Sequence, residues 1–254
     1  MSPSGFSGPL VPAINIVVLG ESGVGKSSIV DKFLFNAQWV RYDAVGTSPF
    51  GTESTSDRFN VEVDGQRYFL LFNDINATPI RLQQPGLVHS FQDKSLNVAD
   101  GVLLLYDIGD IQTFDHIIQW GWEYVCACRT GHSKFGCILV GNKLDLVQGE
   151  NKEKRQVPQS LAEEWASMVG VKSFEVDRFD REKLQDVMRD LVRSVKWAER
   201  RNKEDLEMMR DEEDTKPMTV SEESKQGGHR RNLSLLQKVR KAWPRLQSKS
   251  RTAS

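Results

Sequence analysis

A chain of 254 residues, 39% of them hydrophobic, can bury one core of ordinary domain size, about 100–200 residues, and leave a sizeable stretch outside it. Its net charge of −1 conceals an asymmetry, because the stretch from Lys225 onward holds nine Lys/Arg and no Asp or Glu, which leaves −10 on the residues before it. The body is acidic, the end is basic, and no nucleic-acid partner is expected. The three cysteines, Cys126, Cys128 and Cys137, show neither a metal spacing nor an even count for a disulfide framework, so a reducing cytoplasmic compartment is expected. No run approaches the roughly 20 apolar residues of a membrane span.

Residues 1–11 read as an N-terminal extension. The apolar run from Leu10 to Leu19 is broken by Pro12 and leads straight into glycines, so it reads as a strand rather than a signal peptide. Ser27 to Phe35 then carries Ile29, Val30, Phe33 and Leu34 at helical spacing. Arg58 to Val63 and Arg67 to Phe72, on either side of Asp64-Gly65, predict an antiparallel hairpin with a tight turn. Gly101 to Asp107 and Cys137 to Asn142 are near-continuous apolar runs, the pattern of strands buried on both faces of a parallel sheet. Thr113 to Cys128, Pro158 to Val169 and Glu182 to Trp197 are helical patterns, with a short strand from Lys172 to Val176 before the last. The predicted fold is therefore α/β, a three-layer open and mostly parallel six-stranded sheet with one antiparallel edge hairpin. The last helical pattern continues through the charged stretch 199–214, and the folded body is expected to end near residue 200. Residues 215–230, polar and holding Pro217 and Gly227-Gly228, read as a disordered linker.

The chemistry-bearing motif is Gly20-Glu21-Ser22-Gly23-Val24-Gly25-Lys26-Ser27, which satisfies G-x-x-x-x-G-K-S between a predicted strand and a predicted helix. In that context the backbone N–H groups turn inward around a β-phosphate and the helix that follows presents its positive end. Lys26 neutralises β and γ oxygens, and Ser27 offers its hydroxyl to Mg²⁺. Asn142-Lys143-Leu144-Asp145 follows a buried strand. A carboxylate at Asp145 accepts from the N1 and N2 donors of guanine, which adenine lacks, so GTP is expected over ATP. Lys143 is expected to lay its stem over the base.

With those two motifs in order, residues 12–198 resemble a small GTPase of the Ras superfamily, with a Ras- or Rab-like phosphate loop running Gly20 to Ser28. The resemblance implies the small G-protein fold, GTP/GDP and Mg²⁺ as cofactors, protein effectors, and an exchange factor or activating protein as partners. It also implies further site residues. Trp39 falls where the family packs an aromatic against the guanine, although a core role serves it equally. The family's spacing back from Gly65 puts the metal-binding switch threonine at Thr52, with Thr47 the alternative. Spacing forward from Gly65 puts the metal-shell aspartate at Asp74. The family's D-x-x-G and its water-orienting glutamine would follow, yet the chain reads Asp74-Ile75-Asn76-Ala77-Thr78.

Ala77 keeps an N–H but loses the backbone freedom of glycine, and Thr78 is too short to orient water. GTP hydrolysis through the catalytic positions Lys26 and Thr78 is therefore expected to be slow unless Gln83, Gln84 or a partner intervenes. The family's S-A-K near the base falls on Asp177-Arg178-Phe179, where only backbone N–H groups remain to serve the guanine.

Nothing after Cys137 offers a prenylation box and Met1-Ser2 excludes N-myristoylation, so no lipid anchor is expected. Within 230–246, Leu233, Leu236, Val239 and Trp243 share one side of a helical pattern flanked by Arg231, Lys238, Arg240 and Lys241. This basic amphipathic pattern suits an anionic membrane surface or a calmodulin-like partner, and the expected location is cytoplasmic or peripheral at an inner membrane surface. Two functional readings follow: a slowly hydrolysing signalling switch, or a non-cycling GTP-binding scaffold whose tail recruits a partner.

Overall fold

In a computed structural model the chain is described over residues 11–35, 60–78, 88–128, 134–177 and 179–214. Six strands form one sheet: β1 Ala13–Gly20, β2 Asn60–Val63, β3 Gln66–Asn76, β4 Gly101–Asp107, β5 Gly136–Asn142 and β6 Lys172–Glu175. Their order across the sheet is β2-β3-β1-β4-β5-β6, and every pairing is parallel except the β2–β3 hairpin. That hairpin turns at Asp64 and Gly65, both at positive φ, 51° and 79°. The predicted architecture is the observed one.

The continuous apolar runs are explained by what each face meets. Along β4, Val102, Leu104 and Tyr106 point to one core and Leu103 and Leu105 to the other; β5 divides Leu139 from Ile138 and Val140 in the same way. The first core lies under α2 (Val88–Val98), α5 (Gln159–Val169) and a long bent helical segment, α3 (Ile111–His116) leading into α4 (Trp122–Cys128). The second lies under α1 (Lys26–Phe35) and α6 (Arg181–Asp214).

Three features depart from the sequence expectation. Helix α2 has no predicted counterpart, since its sequence is largely polar; among the described side chains Leu96 enters the core, with Ala99 just after the helix. The predicted helix 113–128 begins at Ile111, capped by the Asp110 carboxylate accepting from the Gln112 N–H at 2.9 Å, and it widens into a π turn over Ile117–Gly121. A Cβ on Gly121 would sit 2.7 Å from Ile117 Cδ1, so a larger residue there would require the Ile117 side chain to shift. Strand β3 runs four residues past the predicted Phe72, held by parallel pairing with β1 as far as Gly20 opposite Asn76.

Helix α6 is a single helix of 34 residues. Near its outer half one brace ties it to the body: Asn202 Oδ1 accepts from the Lys134 N–H at 2.6 Å, Asn202 Nδ2 donates to the Lys134 carbonyl at 2.8 Å, and Lys134 Nζ reaches Asp205 at 2.6 Å. The Asn202→Ala variant strands two backbone groups and is expected to lose about 1–3 kcal/mol in urea unfolding. Asp205→Ala removes only a half-exposed ion pair and is expected to lose under about 1 kcal/mol.

Candidate functional site

Strand β1 ends at Gly20 and α1 begins at Lys26, so the intervening loop lies at the carboxyl end of the parallel strands, where a helix N-terminus faces outward. Gly23 and Gly25 adopt φ of 82° and 94°, a conformation that side chains resist. Gly25 is doubly constrained, because a Cβ there would come within 2.4 Å of Asn142 Nδ2. That amide donates to the Val24 carbonyl at 2.9 Å, which turns the loop's carbonyl inward to the protein and leaves its N–H side outward. Val24 itself is buried in the second core.

Lys26, nearly buried, folds back over the loop so that Nζ donates to the Glu21 carbonyl at 2.9 Å and lies 3.7 Å from Asp74 Oδ1. Burial pushes its ammonium below the ordinary lysine range, against the pull of Asp74 and Glu21. Ser27 Oγ donates to Asp74 Oδ2 at 3.0 Å. A hydroxyl and a carboxylate brought together beside a lysine and a helix N-terminus are hard oxygen donors of the kind Mg²⁺ takes, so the residues fit a phosphate with its divalent cation. Ser28 stands half-buried in the first turn of α1.

The stretch after Asp74 is held tightly. Because β3 continues to Asn76, the Ala77 N–H donates to the Gly20 carbonyl at 2.9 Å, and the Ala77 methyl is buried in the first core. The sequence leaves this N–H available to a ligand; the structure spends it on the sheet. Thr78 follows directly, its N–H donating to Asn76 Oδ1 at 3.0 Å and its Oγ1 accepting from the Ser22 N–H at 3.4 Å.

On the base side, Asn142 is buried and its Oδ1 has no partner among the described residues, an acceptor facing inward without a donor. Lys143 sits in the left-handed region at φ 67° and donates from Nζ to Asp107 Oδ2 at 2.6 Å, while Asp107 Oδ1 accepts from the Gly109 N–H. Its stem is thus steered by β4. Leu144 N–H donates to the Val176 carbonyl at 3.2 Å, which sets the Asp145 turn beside the segment reaching Asp177. Asp177 uses its own Oδ1 to accept from the N–H groups of Phe179 and Asp180, at 2.6 and 2.7 Å, so its side chain shapes the loop.

Trp39, Thr47, Thr52, Gln83, Gln84, Arg178 and the tail 215–254 lie outside the described residues.

Sequence reasoning missed three supporting groups. His116 at the end of α3 meets Glu21 of the phosphate loop, Nδ1 to Oε1 at 2.8 Å, and stacks on Trp120 at 5.0 Å between centroids. Asp107 steers Lys143. Arg155 forks onto the buried Glu175 at 2.6 and 2.9 Å, two residues before Asp177, and that pairing raises the guanidinium above its ordinary value. Each pair joins residues far apart in sequence, so no local pattern signals them.

Comparison with known proteins agrees with this geometry. A family model described as the Ras family matches residues 15–197. Among curated relatives, the Ras-related protein Rab7 of Cenchrus ciliaris is 26% identical over 184 residues, covering 72% of this chain and 82% of that protein. Ras-related protein Rab-7a of Paramecium octaurelia is 27% identical, covering 84% of this chain and 94% of its own. Ras-related protein Rab-44 of Mus musculus is 28% identical over 76% of this chain, which spans only 18% of that longer protein.

Removing the Asn142 side chain tests whether the loop depends on it. Asn142→Ala leaves the Val24 carbonyl buried and unpaired, which is expected to lower unfolding stability by about 1–3 kcal/mol. The same variant is expected to weaken fluorescent guanine-nucleotide binding at least about tenfold, the equivalent of 1.4 kcal/mol. Equal affinity in a direct titration would show that the loop holds its shape without Asn142.

Proposed function

The chain belongs to the Ras superfamily of small GTPases, and from that premise we propose that residues 12–198 are its G domain, acting as a guanine-nucleotide switch that hydrolyses GTP slowly. The observation that carries the slow step is Ala77, whose N–H is committed to the Gly20 carbonyl and whose methyl is buried. A residue held in that way is costly to swing toward a γ-phosphate, because the swing breaks a sheet hydrogen bond and exposes the methyl.

In this reading the N–H groups from Glu21 to Ser28 hold the phosphates and Lys26 neutralises their oxygens. Ser27, Asp74 and a threonine, Thr52 or Thr47, hold Mg²⁺. Bound there, the ion would neutralise charge on the phosphates. Asn142, Lys143 and Asp145 read guanine, with Trp39 at its edge and the backbone of Asp177 and Arg178 behind it. Hydrolysis requires a water to attack the γ-phosphorus while the bond to the β–γ bridging oxygen breaks, giving GDP and phosphate. Thr78 carries no carboxamide to orient that water, and its hydroxyl already accepts from the Ser22 N–H.

The same latch also favours a second reading, a non-cycling GTP-binding scaffold. Both readings expect protein effectors, and the tail 230–246 is the proposed contact with an anionic membrane or a calmodulin-like partner at an inner membrane surface. Among the described residues no helix is long and apolar enough to cross a membrane.

Single-turnover hydrolysis separates the possibilities. The double change Ala77→Gly with Thr78→Gln is expected to speed release of phosphate by at least about tenfold, since a positioned group at the reacting water contributes about 10²–10⁴ in general. An unchanged rate would overturn the assignment of slow turnover to these two residues. Hydrogen exchange over 60–78 that is identical with GDP and a non-hydrolysable GTP analogue would select the scaffold. ATP competing with GTP on equal terms would remove Asp145 from base reading.

A further inference from the structure

The core-facing stripe of α6 does not stop where the body stops. Leu191, Val195 and Ala198 are buried along it; Asn202 and Asp205 follow at the same helical spacing and are braced to Lys134. The next positions on the stripe are Leu206 and Met209, and these are 59% and 56% exposed. Met208, 57% exposed, is turned about 100° round the helix from Met209, on the side of Trp197. So an apolar stripe continues past its partner, on a helix that holds its form through three further turns.

The charge of this projecting segment says what fits it. Residues 199–214 carry eight acidic and four basic side chains, whereas 225–254 carry nine basic and none acidic. That basic stretch carries an apolar stripe, Leu233, Leu236, Val239 and Trp243 at helical spacing. The lengths also agree: 199–214 is 16 residues and 230–246 is 17. The 15 residues between them can span up to about 50 Å when extended, ample to reverse direction across the end of α6.

We propose that residues 230–246 dock back onto the outer half of α6 of the same chain, antiparallel to it, with Leu236, Val239 and Trp243 over Leu206 and Met209. The basic side chains then lie beside the acid-rich end of α6. Docking covers the apolar stripe that would otherwise meet a membrane, so the tail is exposed only when something draws it off α6.

The test is cross-linking of the full chain at low micromolar concentration with a short bismaleimide, read by mass spectrometry. Burial pushes the Cys126 and Cys128 thiols up to about 12 and Cys137 is buried, so cysteines introduced at exposed positions react first. Met209→Cys with Val239→Cys is expected to link within one chain several-fold more than Met208→Cys with Val239→Cys. The difference should vanish in about 1 M salt, where screening acts over about 3 Å, and when Lys238→Glu, Arg240→Glu and Lys241→Glu are added. Equal yields from the two pairs would overturn the proposal. So would links found only between two chains, which would assign the stripe to a second copy. A tail protected only by phosphatidylserine vesicles, with equal yields in their absence, would assign it to the membrane instead.

Discussion

The parallel pairing of β1 with β3 is the constraint on which the site depends. It runs in register from Ala13 opposite Phe69 to Gly20 opposite Asn76, so the strand that enters the phosphate loop and the strand that carries Asp74 end side by side. That register places Asp74 beside the Ser27 and Lys26 that the loop presents. It also carries one further sheet hydrogen bond, from Ala77 to Gly20, into the stretch where the family has a glycine free to move. One pairing thus brings Asp74 to Ser27 and ties Ala77 to the sheet.

The loop itself is kept in shape from several sides. Asn142 at the end of β5 holds the Val24 carbonyl, His116 at the end of α3 holds Glu21, and Thr78 lies against the Ser22 N–H. Each partner comes from the carboxyl end of a strand or from the helix that follows one, which is where an open parallel sheet gathers its ends. Burial around these contacts matters because a hydrogen bond in a dry setting is costly to leave unmade. The neighbouring end of β6 follows the same rule: the buried Glu175 is satisfied by both prongs of Arg155 just before the turn at Asp177.

What the sequence made legible was whatever is written locally. The strand–loop–helix signal of Gly20 to Ser27, the Asp64-Gly65 turn and the doubly buried runs of β4 and β5 each carry their pattern within a few residues, and each stands where its pattern puts it. Helix α2 was not legible, because its largely polar residues show no apolar period. Nor was the extension of β3, since Asn73, Asp74 and Asn76 are poor strand formers and only pairing with β1 keeps them extended. The support from His116, Asp107 and Arg155 is tertiary by nature. Lys143 shows the difference well: its place after β5 is readable, but the direction of its side chain is set by Asp107 across the sheet.

The unusual switch residues and the unusual tail need not be separate matters. A small GTPase signals by changing the order of its switch segments, and such a change is limited by what the segment must give up. Here moving Ala77 would cost a sheet hydrogen bond and a buried methyl, so ligand contacts must offset both before the segment responds. At the far end of α6, past the brace at Asn202 and Asp205, Leu206 and Met209 stand exposed. Interactions on an exposed helix with opposite charges are individually weak and salt-sensitive, which makes them reversible on a scale that partners can compete with. On the proposed reading, the tighter Ala77 is held, the more readily a partner acts through exposed surfaces away from Gly20–Ser27.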